Sequence, residues 1–260
     1  MKNKKEIKAE YRSAISEAKK RYEEECILAE EKYKEELAAF YQSTGKPVPK
    51  DPPKRSVLEE IGNSVTHGIG SIFAIVALIL MLISARTPEQ YISAIIYFLG
   101  LFIMFTMSCL YHAFPHGSAV KRLFRRFDYS GIYLLIGATF APVLITYFNN
   151  MFGWIFFAAQ WAIIAIGITL VGVFGPTRLR FLHIPLYVML GWSALALLPF
   201  MVLGGAANMA TWILLGGVIY TVGIIPFTIK LKASHFIWHF FVLAGAITQW
   251  VGIYLYLYLK

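Results

Sequence analysis

Ser234-His235-Phe236-Ile237-Trp238-His239 opens the last long apolar run of the chain, which continues to Tyr258. Histidines four residues apart lie one turn apart on the same face of a helix, so both imidazoles can reach a single metal ion. The run that follows has roughly the 20 residues a helix needs to cross a bilayer. An H-x-x-x-H pair alone says little, because two histidines at a membrane interface can equally hydrogen-bond to backbone or lipid. Its meaning depends on whether a third ligand and a carboxylate arrive at the same depth from other segments.

Composition places those segments in a membrane. Hydrophobic residues make up 58% and aromatic residues 16% of the 260, and mean hydropathy is +0.60, which excludes an ordinary soluble domain. The ionisable residues are unevenly spread. Of the 15 acids, 10 precede residue 43, and beyond Val57 only Glu59, Glu60, Glu89 and Asp128 remain.

Three regions follow from this distribution: a charged cytoplasmic helix over 1–42, a Pro/Lys-rich linker over 43–56 and a transmembrane domain over 57–260. The first carries 10 basic and 10 acidic residues, so it is neutral and unlike a nucleic-acid-binding tail. It has no apolar core near Met1, and no signal peptide is expected. Its apolar positions recur every 11 residues, as in Tyr11, Tyr22 and Tyr33, or Ile15, Cys26 and Leu37. Eleven residues in three turns gives a long helix with a nearly straight apolar stripe, able to pair with a copy of itself or with a protein partner, or to stand solvated. In the linker, Gly45, Pro47, Pro49, Pro52 and Pro53 break the helix, and Lys46, Lys50, Lys54 and Arg55 suit anionic headgroups. Ser56 and Glu59 have capping-box spacing, which leaves Glu60 without a structural task.

Seven apolar segments are predicted, at about 61–84, 91–113, 127–148, 152–174, 182–203, 209–228 and 234–257. The fold class is therefore all-α, a multi-pass membrane protein with seven transmembrane helices and an N-terminal helical arm. Loops after the second, fourth and sixth segments hold Lys121, Arg122, Arg125, Arg126, Arg178, Arg180, Lys230 and Lys232, against Arg86 and Lys260 on the alternate side. The positive-inside rule then puts the N-terminus in the cytoplasm and the C-terminus outside. Cys26 and Cys109 imply no disulfide.

This topology brings His67, His112, Asp128, His183, His235 and His239 to the cytoplasmic ends of their segments, with His116 in a neighbouring loop. Ionisable groups at membrane depth usually face the bundle interior and mark function. Asp128 reads either as an N-cap or partner of Arg125, or as the counter-charge of a divalent cation, held directly or through water. Histidines 112, 235 and 239 with one water make a normal zinc set with an open position. Ser108, one turn before His112, can hydrogen-bond that water or a developing oxyanion. Cys109 is a further ligand candidate, ranked below the histidines because buried cysteines mostly pack. Glu60, Asn63 and His67 form a supporting polar cluster, and His116 and His183 read as interface histidines.

Glu60-x-x-Asn63-x-x-Thr66-His67-Gly68, Ser108-x-x-x-His112, Asp128 and His235-x-x-x-His239 together resemble the hemolysin III family, the bacterial branch of the progestin and adiponectin receptor superfamily. The resemblance covers about residues 57 to 257 and excludes the arm. It implies one zinc per chain on His112, His235 and His239, with Asp128 contacting it through water and Ser108 beside it. The alkaline ceramidases are similar, which implies a lipid-amidase chemistry. Three functions stand at this point: an intramembrane zinc hydrolase of lipid amides or esters, with Asp128 and Ser108 catalytic; a non-catalytic sensor of lipid or membrane state with structural zinc; and, disfavoured, a cytolysin. Membrane lipids are the implied partners in the cell membrane, and nucleic acid is not.

Overall fold

A computed structural model describes residues 3–45, 51–228 and 233–259. Lys46, Pro47, Pro49, Lys50, Lys230, Lys232 and Lys260, invoked above for the linker and the charge bias, lie outside the described residues. Two compact units are present, Met1–Lys50 and Asp51–Lys260.

The first unit is one helix, α1 (Lys4–Thr44), of 41 residues. Asn3 starts it: its side chain accepts from the N–H groups of Lys5 and Glu6 at 3.0 Å each, and the Glu6 carboxylate accepts from the Asn3 N–H at 2.9 Å. Gly45 ends it in the left-handed conformation, φ 65°, where a Cβ would be strained. The striped tyrosines 11, 22 and 33 are all exposed.

In the second unit the helices are α2 (Val57–Ser84), α3 (Pro88–Ala113), α4 (Ala119–Ala141), α5 (Met151–Phe174), α6 (Arg180–Trp192), α7 (Ala194–Leu203), α8 (Ala207–Thr228) and α9 (Ser234–Ile253). Seven stretches are long and apolar enough to cross a membrane: α2, α3, α4 extended to Tyr147, α5, α6 with α7 as one broken span, α8 to Pro226, and α9 extended to Tyr258. Four of them begin the same way. Ser56, Thr87, Ser118 and Asn150 each accept the N–H of the residue three positions on, at 3.1–3.3 Å, with Pro88 pre-set behind Thr87. Only half of the Ser56 box forms, because the Glu59 carboxylate turns to Arg55 at 3.8 Å. Helix α4 starts at Ala119 rather than near 127, since Ser118 caps it there; Asp128 therefore sits well inside the helix and is not its N-cap.

Prolines shape the spans. Pro142 has no N–H to continue α4, and the backbone widens into a π-helical turn over Pro142–Tyr147, closed by Phe148 N–H to Val143 O at 2.9 Å. Pro185 and Pro199 lie inside α6 and α7, which meet at Ser193. There Gln160 Nε2 donates to Ser193 Oγ at 2.8 Å, tying the break to α5.

Burial runs opposite to that of a soluble protein. On α2 the buried face is Asn63, Thr66, His67, Gly70, Ala74, Ala77 and Met81, while Ile61, Val65, Ile69, Ile72, Val76 and Ile83 are exposed. Small and polar residues go inwards because lipid outside welcomes the branched apolar ones. The main core joins Leu101, Met104 and Phe105 of α3 to Leu135 and Ala138 of α4 and to Ala246 and Trp250 of α9. Close approach of α3 and α4 requires Gly131, whose Cβ would lie 2.9 Å from Met104 Cα. Gly216 is likewise used within the chain, against the Gly245 carbonyl, whereas a Cβ at Gly172 or Gly217 would meet nothing within 4 Å. Gly131→Leu should therefore destabilise the detergent-solubilised protein by about 1–3 kcal/mol through overpacking. A thermal melt followed by monodispersity, with Gly172→Ala as the variant that does not fall, measures it.

Candidate metal centre

Helices α2, α3, α4 and α9 converge at the end of the bundle that carries Lys121, Arg125 and the histidines. Helix α9 begins at Ala233, a non-glycine residue in left-handed conformation (φ 57°), and its first two turns hold His235 and His239. Gly62 of α2 lets this start come close: a Cβ there would sit 2.7 Å from the Phe236 ring. His112 closes α3 from the other side, 2% exposed.

The three imidazoles meet through one kind of atom. His235 Nε2 lies 3.2 Å from His112 Nε2 and 3.2 Å from His239 Nε2. The opposite nitrogens are engaged. His112 Nδ1–H donates to Glu60 Oε2 at 2.5 Å, and His239 Nδ1–H donates to the Asn63 carbonyl at 3.2 Å. With those protons at Nδ1, the Nε2 atoms of His112 and His239 both present lone pairs to His235, which has at most one proton to offer them. The set is frustrated as bare imidazoles and satisfied by a cation. Ligands of a tetrahedral zinc at about 2.0–2.1 Å are separated by about 3.3–3.4 Å, close to the spacing found. Among the described residues these three histidines are the group whose ligand atoms cluster tightly enough to hold a metal ion.

Around them lies a chain of charge. Glu60 spans His112 and Lys121, with Lys121 Nζ 3.1 Å from Oε1. Lys121 is buried, 1% exposed; it also donates to the Phe114 carbonyl at 2.9 Å and lies 5.0 Å from the centroid of Tyr111. Lysine, carboxylate and imidazole thus run in series, an order that raises the basicity of the metal-facing nitrogen and fixes its tautomer. Asn63 Nδ2 abuts His112 Nδ1 at 3.4 Å, and the His67 ring stacks on His239 with centroids 3.7 Å apart. Glu60, Asn63 and His67 therefore all touch ligand rings.

Asp128 and Ser108 are neighbours beside the histidines, and both line a cavity that His67, His235 and His239 also line. Asp128 has electrostatic contacts with His112, Arg55 and Arg125. The cavity, of about 210 Å³, follows α4 from Asp128 to Val143 and α9 from His235 to Gln249, a length of about 20 Å at 1.5 Å per residue. Its walls are mostly apolar, with Tyr129, Thr139, Tyr187, Tyr220 and Thr221 along them and Gln249 at the far end. Gly191 of α6 and Thr221 of α8 line it and are also exposed, so it opens sideways between those helices, where Trp192 Nε1 donates to Thr221 Oγ1 at 3.1 Å.

Other candidates lie elsewhere. Cys109 faces Ser64, with Oγ 3.3 Å from its sulfur, and is outside the histidine group. His116 bonds the Pro52 carbonyl at 2.9 Å, and His183 bonds the Tyr133 hydroxyl at 2.9 Å. Sequence reasoning offered Arg125 as a partner of Asp128 but missed Lys121, which it counted only as loop charge. The available signal was spacing: 121, 125 and 128 share one face of a helix once that helix begins at 119.

Comparison with known proteins points to one family. The model described as Haemolysin-III related matches residues 55–250. The chain is 34% identical to Hemolysin-3 of Bacillus cereus over 194 residues, covering 73% of this chain and 88% of that protein. It is 30% identical to a Hemolysin-3 homolog of Bacillus subtilis (strain 168) over 207 residues, covering 77% and 95%. The Monocyte to macrophage differentiation factor of Homo sapiens is 28% identical over 214 residues, covering 79% and 87%. With seven apolar spans, this likeness makes the chain a multi-pass membrane protein.

The relay from Glu60 gives a direct expectation. If the three histidines take up an added metal ion, Glu60→Gln should weaken its affinity about 10–100-fold, the usual cost of losing a carboxylate behind a ligand histidine. Competition with a chromogenic chelator on detergent-purified protein measures it, and unchanged affinity would show that the carboxylate does not tune His112.

Proposed function

This chain belongs to the haemolysin-III related family, and on that premise we propose that it is a zinc-dependent hydrolase of a lipid amide or ester, acting within the membrane. The observation that carries this reading is the meeting of the three Nε2 atoms with Asp128 and Ser108 at the blind end of an apolar, laterally open cavity. Zinc held by His112, His235 and His239 would supply a Lewis acid to the scissile carbonyl and acidify a water beside it.

The protein's own groups do the rest. Walls of α4, α6, α7, α8 and α9 hold an acyl chain and exclude bulk water from the reacting bond. Asp128 accepts the proton of the attacking water and delivers it to the leaving nitrogen or oxygen. The Ser108 hydroxyl donates to the oxyanion as the carbonyl carbon becomes tetrahedral. Lys121 and Glu60 hold His112 in place from behind. The bias of Lys121, Arg122, Arg125, Arg126, Arg178 and Arg180 over Arg86 supports placing this end at the cytoplasmic leaflet, with the C-terminus outside.

Lysis is the activity in the names of the two Bacillus relatives. We do not assign it here, because seven apolar spans build the chain into its own membrane, whereas the spanning parts of a secreted pore-former must first be soluble. In the non-catalytic reading the same histidines tie helices together and zinc is structural. One comparison separates the two. Asp128→Ala should retain about one zinc per chain by elemental mass spectrometry and lose lipid-amide or lipid-ester turnover by at least about 100-fold, the scale of a positioned general base. His235→Ala with His239→Ala should lose the metal itself. Zinc-loaded wild type that turns over no amide or ester from a broad lipid panel would sink the hydrolase and leave the structural role.

A further inference from the structure

Lys121, Arg55 and Arg125 gather at the metal end of the cavity against the carboxylates of Glu60, Glu59 and Asp128, and they are not held equally closely. Lys121 is committed to Glu60, and Arg122 to Asp51 at 2.8 Å and to the Gly117 carbonyl at 2.7 Å. Arg126 donates to the Gly172 carbonyl at 3.0 Å. Two guanidinium groups remain. The Arg55 side chain is 13% exposed; its closest acid is Glu59, a long 3.8 Å from Nε, and its Nη1 is buried with no hydrogen-bond partner among the described residues. Arg125 is 9% exposed, lies 5.9 Å from the centroid of Tyr129, and makes no ion pair within 4.0 Å among the described residues.

Both guanidinium groups act on the same three neighbours. Asp128, Tyr111 and His235 each have electrostatic contacts with Arg55 and Arg125. Asp128 and His235 line the cavity, as does Tyr129 beneath Arg125, so the arginines stand behind its histidine end, next to residues that line it. A guanidinium carries five N–H donors and is costly to bury unpaired. Glu59, a long 3.8 Å away, and Asp128 are the carboxylates these two forks face, with the Tyr111 hydroxyl beside Arg55, and the Arg55 Nη1 is left over. A cation on the neighbouring imidazoles would make this end net positive. Guanidinium groups match multi-oxygen anions in paired, bidentate geometry, and a phosphomonoester brings about 1.5 to 2 negative charges and three terminal oxygens.

We propose that Arg55 and Arg125 form a headgroup subsite for a lipid bearing a phosphomonoester, whose single chain occupies the apolar cavity while the phosphate sits between the two guanidinium groups. The subsite rests on the reading above only in taking the cavity to hold a lipid with its polar end at the histidines. It assigns a substrate class, anionic single-chain phospholipids, and gives Arg55, just ahead of the first span, a binding role.

The test is a binding experiment on the full-length, zinc-loaded protein in neutral detergent, with ligands that cannot be hydrolysed. Three probes are compared by native mass spectrometry: an ether-linked lysophosphatidic acid, the matching alkylglycerol without phosphate, and glycerol 3-phosphate without a chain. The phosphate lipid should bind at least about 10-fold more tightly than either, the value of one good charge-assisted contact set. Arg55→Gln with Arg125→Gln should remove that preference while alkylglycerol binding and zinc content stay as in wild type. Should that pair fail to fold, Arg55→Lys with Arg125→Lys keeps the charge, loses the fork and should cut the preference several-fold. Equal binding of the two lipids, or a preference that survives the double substitution, overturns the subsite while leaving the lipid cavity intact. Glycerol 3-phosphate binding as tightly as the lipid overturns it by showing an anion site that ignores the chain. Binding of none of the three overturns the subsite together with the lipid reading.

Discussion

Three imidazole nitrogens 3.2 Å apart in sequence around His235, with the far nitrogens of His112 and His239 already committed as donors, set the constraint on which the bundle depends. The arrangement brings α3 and α9 together at one end, and α2 supplies both acceptors that hold it, the Glu60 carboxylate and the Asn63 carbonyl. Lone pairs facing one another in an apolar interior repel, so the helices remain at this spacing only if something positive lies among them or their packing forces it. Both are provided for. Gly62 and Gly131 allow the close approach, and the donor set suits a tetrahedral cation. Fold and site are thus one construction, with the same residues serving contact and chemistry.

Much of this was legible in the chain before any coordinates. Seven spans follow from segment length and hydropathy, because lipid imposes a minimum run that soluble cores do not. His235 and His239 declare themselves because a spacing of four is a local property of one helix. Joining His112 to them required only that histidines and Asp128 fall at the same end of their segments. What was hidden has a common cause. Asp128 was placed at a helix start because apolarity begins near 127, yet Ser118 caps α4 far earlier and its first two turns are basic. Lys121 then looked like a loop residue, although it is the buried counterion of Glu60; Arg125 beside Asp128 is legible from their spacing. Which side of a helix faces a neighbour is not written in hydropathy when both faces are apolar. For the same reason hydropathy does not separate Gly216, packed against another helix, from Gly172, where a Cβ would meet nothing within 4 Å.

The broken spans show how the bundle makes room. Pro142 widens α4 into a π turn, and α6 and α7 are interrupted at Ser193, so irregular helices supply part of the cavity wall, while the unbroken α2 and α3 bring His67, Met104 and Ser108 to its histidine end. Irregular backbone at membrane depth is tolerated where protein satisfies it, as the Ser193 hydroxyl does by donating to the Leu190 carbonyl at 2.6 Å while accepting from Gln160. Unbroken helices hold Glu60 and His112.

The sideways opening at Gly191 and Thr221 has a further consequence. A chamber that exchanges with the bilayer senses a lipid by its mole fraction in that leaflet and not by its molarity in the surrounding water. Adding buffer leaves its occupancy unchanged, whereas adding inert membrane dilutes it. On the reading proposed above, saturation therefore belongs on a surface-concentration axis, set by the makeup of the surrounding membrane and not by the total amount of lipid in the cell.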